Sequence, residues 1–373
     1  MVKVEVVKSK NSNLRAAKRA KNDEFYTQLT DIEKELRHYR KHFKGKTVFC
    51  NCDDPFESNF FKYFALNFNR LGLKKLIATS YVSSDVANDD LKIEDIESDE
   101  DLVRKPYKAV VTQVFDKSGD GGIDMEDIAD LFKSGDNELT ALEGDGDFRS
   151  EESIELLKEA DIVVTNPPFS LFREYVAQLM EYDKKFLVLG NMNAITYKET
   201  FPLLKENKIW LGHDANKTME FQLPPVYERW NRIDGAGNKF GKVPAITWYT
   251  NLDLKKRHEE LILVQEYSPE KYPKYDNYGA IEVSKVVNIP LDYDGVMGVP
   301  ITFLDKYNPE QFEIVTLASR HSWVNYRDAL ISLGFNPRIK SGGGLGACVL
   351  EGKCKYARIL IRNRHPEKPE GEN

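Results

Sequence analysis

Short apolar runs alternate with amphipathic stretches along the first two hundred residues of the chain. The apolar and β-branched runs predict strands at residues 47–52, 76–79, 161–165, 185–189 and 209–211. Apolar residues at a helical period predict helices at residues 31–42, 55–69, 171–182 and 197–206, with Pro55 in the first turn of the second. Strands that alternate with helices over residues 47–211 indicate a parallel α/β sheet with helices on both faces. Ligands of such sheets bind at the carboxyl ends of the strands.

Residues 83–143 interrupt this alternation. They begin with an acidic, loop-like stretch, continue with a β-rich run at residues 109–115 and a glycine-rich turn, and then show a short helical pattern at residues 125–132. We predict an acidic insert made of a hairpin and a helix. Beyond residue 212 the chain becomes rich in proline, tyrosine and tryptophan, so a second, more irregular module is expected over residues 213–373.

The net charge of −7 hides a segregation of charge along the chain. Residues 85–152 hold 22 acidic and 7 basic residues, a balance of −15, whereas the rest of the chain has a balance of +8. Residues 1–21 carry seven Lys or Arg and one Glu, which predicts a flexible basic arm over residues 1–22. Such an arm is either a solvated tail or a segment that contacts phosphates.

The sharpest chemical signal directly follows the apolar run at residues 161–165. It is the tetrapeptide Asn166, Pro167, Pro168 and Phe169, which we call the NPPF loop. Prolines fix the backbone and remove N–H donors, so the carbonyls of Asn166 and Pro167 become rigid acceptors for an exocyclic amino group. The Asn166 side-chain oxygen adds an acceptor, and Phe169 offers a flat wall for a planar base. The alternative is a proline turn that only ends the strand. The pattern matches the motif of amino-group methyltransferases that use S-adenosylmethionine.

Two acidic segments near predicted strand ends are candidates for a cofactor pocket. Asp53, Asp54 and Pro55 follow the first strand, where a carboxylate can meet an amino group; the alternative is a helix N-cap. Asp147 and Phe148 lie in the sequence GDGDF, where a carboxylate and an aromatic ring can bind an adenine; the alternative is an Asp-Gly turn.

Longer segments resemble the adenine-specific DNA methyltransferases of the EcoRI modification-methylase type. They include NDEFYTQ (22–28), CNCDDP (50–55), SNFFKYF (58–64), GDGDFRS (144–150), DIVVTNPPFSLFREY (161–175) and YPKYDNY (272–278). The resemblance implies an α/β fold: a Rossmann-like S-adenosylmethionine-dependent methyltransferase sheet, here with an inserted acidic hairpin and helix and a C-terminal target-recognition module. It also implies S-adenosylmethionine as the cofactor, double-stranded DNA as the partner and N6-methyladenine as the product, made from a flipped-out base.

Carried over by position, the resemblance makes the NPPF loop the catalytic motif. It assigns seven residues to the cofactor pocket: Phe25, Tyr26, Thr27, Asp54, Pro55, Asp147 and Phe148. Asp53 joins these cofactor-binding candidates because of its position after the first strand, beside Asp54. The implied organisation is a catalytic domain at residues 23–212 and a target-recognition region at residues 213–373. We expect a monomer without a metal, which has no direct contact with any cognate restriction endonuclease. The sequence departs from the general methyltransferase pattern in two places. The loop after the first strand lacks the usual glycines, and no acid follows the second strand to hold the cofactor ribose.

Two other functions fit parts of the pattern. An amino-group methyltransferase acting on RNA or on a protein glutamine would use the same NPPF loop, and a catalytically silent DNA-binding module is a third hypothesis. The large C-terminal region favours long duplex DNA, because it is rich in basic and aromatic residues. These residues are Tyr227, Arg229, Trp230, Arg232, Trp248 and Tyr249. For each of the aromatic residues the alternative is an ordinary place in the core.

Residues 116–127 fit a calcium-loop pattern, with oxygen ligands at the expected spacing and Gly121 at the sixth position. The final position is Asp127 rather than Glu, and the preceding β-rich run favours a strand, so an acidic hairpin turn is the alternative.

Four cysteines without zinc spacing indicate reduced structural thiols, with zinc binding as the alternative. No apolar run reaches the length of a membrane span and no secretory signal is visible, so we expect a cytoplasmic protein.

Overall fold

A computed structural model describes residues 26–55, 58–80, 106–117, 123–132, 135–223, 230–243, 245–339 and 344–367. The predicted basic arm, Phe25, the acidic residues 81–105 and the aromatic and basic pair Tyr227 and Arg229 lie outside the described residues. The chain divides into two compact units. The first is Met1–Asn191 with Lys217–Leu252, and the second is Met192–Asn216 with Asp253–Asn373.

The described residues form short helices and mostly short strands. The strands are β1 (Tyr26–Thr27), β2 (Thr47–Cys50), β3 (Lys75–Thr79), β4 (Tyr107–Val111), β5 (Glu138–Ala141), β6 (Ile162–Thr165), β7 (Lys185–Asn191), β8 (Trp210–Leu211), β9 (Glu220–Leu223), β10 (Arg232–Ile233), β11 (Lys239–Lys242), β12 (Ile246–Thr250), β13 (Ala280–Glu282), β14 (Val296–Pro300), β15 (Phe312–Ala318), β16 (Val349–Leu350), β17 (Lys353–Cys354) and β18 (Arg358–Asn363). The helices are α1 (Leu29–Leu36), α2 (Asn59–Leu66), α3 (Phe68–Leu71), α4 (Met125–Ala129), α5 (Glu151–Glu159), α6 (Phe172–Glu181), α7 (Phe201–Lys205), α8 (Ser322–Asn325) and α9 (Arg327–Ser332).

A mixed sheet forms the centre of the first unit. Within the first unit, the strands of this sheet run in the order β5-β4-β3-β2-β6-β7-β12. The four central strands, β3, β2, β6 and β7, are parallel, which confirms the α/β class with a parallel sheet. The flanking strands are antiparallel to their neighbours, which the prediction of a purely parallel sheet did not include. The central strands are buried along their length, for example at Phe49, Val163 and Leu187.

Two strands from the segment that was predicted to be an acidic insert extend the sheet at the β3 edge. β4 pairs antiparallel with β3, β5 pairs antiparallel with β4, and α4 lies between β4 and β5 in the sequence. On the other side, β12 pairs antiparallel with β7, so Trp248 and Tyr249 are buried core residues of this unit. Trp230, by contrast, is 45% exposed.

Two predicted helices have different bounds in the structure. The predicted helix at residues 55–69 starts at Asn59, because the Ser58 hydroxyl accepts hydrogen bonds from the N–H groups of Phe60 (3.0 Å) and Phe61 (3.4 Å). Pro55 therefore lies before the helix and not in its first turn. The predicted helix at residues 197–206 is the shorter α7, preceded by a 3₁₀ helix at Met192–Thr196.

The described residues also form three smaller sheets, the smallest of which is the antiparallel pair β16-β17. In the first unit, β1-β9-β11-β10 form an antiparallel sheet, so the segment before α1 is paired with the 217–252 segment. In the second unit, β13-β14-β18-β15 form a sheet over a core that includes Tyr275, Tyr278 and Leu360. Among the described helices, none has the length and apolar character needed to cross a bilayer.

Candidate active site

Three neighbouring parallel strands end at one edge of the main sheet. Residues 51–54 follow β2, Ser80 follows β3, and the NPPF loop follows β6. Because β3, β2 and β6 are adjacent and parallel, their carboxyl ends meet at the same edge. This edge is where open α/β sheets bind their ligands.

Asp53 connects the end of β2 to the NPPF loop. Its carboxylate accepts hydrogen bonds from the Ser58 hydroxyl (2.7 Å), from the Thr165 hydroxyl and from the backbone N–H of Asn166. The side chain is only 7% exposed. Burial raises the pKa of Asp53 to about 6, although the three hydrogen bonds oppose that rise. The charge of Asp54 adds to it.

The NPPF loop is a turn between β6 and α6. Pro167 is buried, whereas Asn166, Pro168 and Phe169 are partly buried. The Pro168 carbonyl accepts a hydrogen bond from the N–H of Leu171 (2.9 Å), one residue before α6 begins. The proline turn that was the structural alternative is therefore present, and it holds the loop at the ligand-binding edge of the sheet. A turn and a binding site are compatible here.

Asp54 contacts a different strand from its neighbour Asp53. Its carboxylate accepts a hydrogen bond from the Tyr107 hydroxyl (2.6 Å) at the start of β4, and Pro55 beside it is buried. The N-cap interpretation of these acids is wrong, because Ser58 caps α2. The acidic pair thus lies at the end of β2, with one carboxylate bound to β6 and the other to β4.

The GDGDF sequence approaches the end of β3 very closely. Gly146 has φ +78°, and a Cβ added there would lie 2.2 Å from the Ser80 carbonyl oxygen. The Asp147 N–H donates to the Asp145 carboxylate (3.0 Å), so the predicted alternative of an Asp-Gly turn is present as well. Only glycine fits this position, and the turn carries Asp147 and Phe148 to the edge of the sheet.

Asp147 already has a strong partner. Its two carboxylate oxygens accept from the Arg149 guanidinium at 2.9 and 2.7 Å, and the hydrogen bonds from Arg149 lower the pKa of Asp147. Arg149 also binds Glu174 (2.8 Å). Phe148 is 4% exposed and packs edge-on against Tyr175, with ring centroids 5.0 Å apart.

Some buried polar atoms at this edge and in β1 have no hydrogen-bond partner within the described part of the chain. They are Thr27 Oγ1, Asn51 Nδ2 and Thr79 Oγ1. The Thr27 carbonyl accepts from the Asn59 side-chain amide (2.7 Å), which joins the segment before α1 to the start of α2. Tyr26 pairs through its backbone with Gln222. Buried donors and acceptors without a protein partner are typical of a site for a polar ligand.

Some residues that shape this edge were not singled out from the sequence. Ser58 could have been recognised as an N-cap, because a serine directly precedes an apolar run. Tyr107 and Tyr175 carry no local signal, since their partners Asp54 and Asn51 are 53 and 124 residues away.

In residues 116–127, the segment with the calcium-loop pattern, the last acidic residue binds backbone N–H groups of the same segment. The Asp127 carboxylate accepts from the N–H groups of Lys117 (2.8 Å) and Asp124 (3.0 Å), and Asp127 is 3% exposed. Residues 118–122 lie outside the described residues.

Among the cysteines, Cys50 and Cys348 are buried, and burial raises the pKa of each thiol.

The sequence is similar to known proteins over nearly its whole length. The sequence matches the family described as "Adenine-specific methyltransferase EcoRI" over residues 13–364. It is similar to "Type II methyltransferase M.EcoRI" of Escherichia coli, with 48% identity over 364 residues that cover 96% of this chain and 98% of that protein.

Two mycoplasma proteins are also similar over nearly their whole length. "Type II methyltransferase M.MgeORF184P" of Mycoplasma genitalium is 38% identical over 359 residues, covering 93% of this chain and 98% of that protein. "Type II methyltransferase M.MpnI" of Mycoplasma pneumoniae is 38% identical over 355 residues, covering 93% and 97%. No solved structure matches the chain. Since the family match spans almost the entire sequence, the chain belongs to the EcoRI family of adenine-specific Type II DNA methyltransferases.

Proposed function

We propose that the chain transfers a methyl group from S-adenosylmethionine to the N6 amino group of an adenine that is flipped out of duplex DNA, and that the NPPF loop receives this base. The observation that carries the proposal is the set of hydrogen bonds from Thr165 and Asn166 to Asp53. These bonds fix the NPPF loop beside the end of β2, at the edge where α/β sheets bind ligands. A base inside a duplex cannot reach such an edge, so the nucleotide has to leave the stack.

In this proposal the NPPF loop acts by positioning. The Asn166 side-chain oxygen and the Pro167 carbonyl accept hydrogen bonds from the adenine amino group, whose lone pair is otherwise delocalised into the ring. Accepting both N–H groups favours a pyramidal nitrogen and directs its lone pair outward, and Phe169 stacks on the base. The bound S-adenosylmethionine supplies the electrophilic methyl group. No strong base is needed, because the amino proton can pass to water after transfer.

The cofactor would be held around the ends of β2 and β3. Asp54 and Pro55 follow β2, and Thr27, Asn51 and Thr79 contribute buried polar atoms that have no hydrogen-bond partner among the residues that the structure describes. A carboxylate can accept about four hydrogen bonds, so Asp147 can receive an adenine amino group while it binds Arg149. Phe148 shapes the wall beneath it, and the family resemblance assigns Tyr26, together with Phe25 outside the described residues, to the same pocket.

The DNA would be bound by regions outside the sheet edge. The basic arm supplies positive charge for phosphates, and the region over residues 213–373 supplies target recognition. Within that region Trp230 and Arg232 are exposed, and both belong to the first compact unit. Exposed aromatic and basic side chains of this kind suit a nucleic-acid contact.

The test is to incubate the purified chain with plasmid DNA and S-adenosylmethionine, and then to map modified bases by single-molecule sequencing. The proposal predicts N6-methyladenine at one recurring sequence, and none when S-adenosylmethionine is omitted. An RNA oligonucleotide and a glutamine-containing peptide serve as alternative acceptors in parallel reactions. Methylation of either acceptor with unmodified plasmid would contradict the proposal.

A further inference from the structure

We infer that Asp53 is a positioning residue for methyl transfer, whose carboxylate clamps the NPPF loop to the end of β2, and that it is not a ligand of the cofactor's amino group. This role rests on the proposed function of the NPPF loop. It departs from the prediction, made from the position of Asp53 after the first strand, that this residue binds the cofactor, and it separates Asp53 from its neighbour Asp54.

The contacts of the two carboxylate oxygens support this role. Oδ1 accepts from the Ser58 hydroxyl (2.7 Å), and Oδ2 accepts from the Thr165 hydroxyl. The backbone N–H of Asn166 supplies a third hydrogen bond. The Ser58 oxygen itself accepts from two backbone N–H groups of α2, so its proton is directed to Asp53. One carboxylate therefore joins β2, α2 and the residue that precedes the proline pair.

Burial separates Asp53 from its acidic neighbour. Asp53 is 7% exposed and binds three donors of the protein, which leaves little of its surface for a cofactor. Asp54 is only partly buried, and it accepts a hydrogen bond from Tyr107. A cation such as an ammonium group is better received by a carboxylate that keeps access to the pocket.

The opposite end of the same strand pair provides a natural control. Asp161, just before β6, accepts from the backbone N–H of Thr47 in β2 (2.9 Å) and from the Lys46 ammonium (3.2 Å). Carboxylates thus bridge β2 and β6 at both ends. Asp161 lies at the amino end, away from the NPPF loop, so its loss weakens the strand pair without changing the position of Asn166.

The clamp needs an ionised carboxylate. Protonation turns one acceptor oxygen into a donor, so the three donors that point at Asp53 can no longer all be satisfied. Asp54, the Cys50 thiol in β2 and the Tyr175 phenol in α6 interact electrostatically with Asp53. Burial is the largest cause of the raised pKa of about 6. The transfer step should therefore weaken as the pH falls through about 6, because the protonated form releases the loop.

The experiment compares Asp53→Asn with Asp161→Asn in the full chain. Single-turnover methyl transfer to a duplex oligonucleotide is measured from pH 5 to pH 8 at saturating S-adenosylmethionine, and the cofactor Kd is measured by calorimetry. For Asp53→Asn we expect transfer to be slower by about 10- to 100-fold at pH 7.5, with an almost unchanged Kd. The wild-type rate should fall below about pH 6, and that inflection should be absent from Asp53→Asn. Asp161→Asn should keep the wild-type inflection.

A Kd raised tenfold or more in Asp53→Asn, with a normal transfer rate at saturation, would make Asp53 a cofactor ligand and overturn the inference. If Asp53→Asn does not fold, Thr165→Val removes one clamp donor while keeping the carboxylate and the shape of the side chain. Thr165→Val is expected to slow transfer without changing Kd, and an unchanged rate would overturn the inference. The two proposals can fail separately. A wild-type chain that never methylates adenine would contradict the proposed function. A wild-type chain that methylates adenine, with clamp variants that transfer at the wild-type rate, would contradict only the role of Asp53.

Discussion

Adjacent residues at the end of β2 have different partners. Asp53 binds the residues that begin the NPPF loop, whereas Asp54 binds Tyr107 at the start of β4. Both acids were predicted to bind the cofactor, because both follow an apolar run that predicts a buried strand. Both acids lie in the loop that follows β2, and their carboxylates have separate partners there.

Asp147 offers a test of the proposed adenine contact at the residue scale. Asp147→Ala should weaken S-adenosylmethionine binding by about 1–3 kcal/mol, because a buried amino donor loses its acceptor. Calorimetry measures this change. Arg149→Ala is the matched control, since Arg149 is the main protein partner of Asp147. Equal losses in both variants would show that Asp147 acts only by holding Arg149, and the direct contact would have to be abandoned.

The NPPF loop could be predicted from the sequence, and the Asp53 contact could not. A proline pair after an apolar strand is a local pattern, and prolines determine their own backbone geometry. The bond between Asp53 and Thr165 joins residues 112 positions apart. It depends on the register between β2 and β6, which no local pattern encodes.

At the scale of elements, caps and edge strands account for the differences between prediction and structure. The predicted start of α2 at Pro55 is wrong because Ser58 offers a hydroxyl to two N–H groups of the first turn, which a proline cannot do. The central strands were predicted because continuous apolar runs are typical of buried parallel strands. The strand at Glu138–Ala141 was missed, because its residues are mostly exposed and carry no apolar run.

Gly146 gives an element-scale prediction about the turn before α5. Gly146→Ala should weaken cofactor binding and lower the melting temperature, because a methyl group would meet the Ser80 carbonyl and displace the turn. Gly237→Ala is the matched control: Gly237 also has a positive φ (+87°), but a Cβ there would meet no atom within 4 Å. Both variants carry the cost of a positive φ, about 1–2 kcal/mol. Thermal melts and calorimetry should show the additional losses in Gly146→Ala alone, and equal behaviour of the two variants would contradict this role of the turn.

At the scale of the whole molecule, the chain leaves the first compact unit and returns to it. The change in composition at residue 212 led to a predicted boundary there, yet Lys217–Leu252 belongs to the same compact unit as the main sheet. β12 accounts for this return, because it pairs along its full length with β7. A sequence pattern marks β12 as a strand but does not reveal which strand it pairs with. The functional boundary at residue 212 stays a prediction.

The basic arm gives a prediction at the same scale, and it rests on charge alone. Deleting residues 1–21 removes a balance of +6 from a chain whose net charge is −7. Each phosphate contact adds roughly 0.9 to the slope of log affinity against log salt. The deletion should therefore weaken DNA binding and flatten that slope by about two to four units, while S-adenosylmethionine affinity stays the same. Fluorescence anisotropy over a salt series measures the slope, and an unchanged slope would argue that the arm binds the acidic insert instead.

The most direct test of the account is a single-turnover measurement on Asn166→Ala. In the proposed function Asn166 binds the adenine amino group and not the cofactor, so calorimetry should find S-adenosylmethionine binding nearly intact. Methyl transfer to a duplex oligonucleotide should fall by at least about 100-fold, since acceptors that position the amino group are lost. A near-normal rate of methyl transfer in this variant would contradict the proposal that the NPPF loop positions the adenine for methylation.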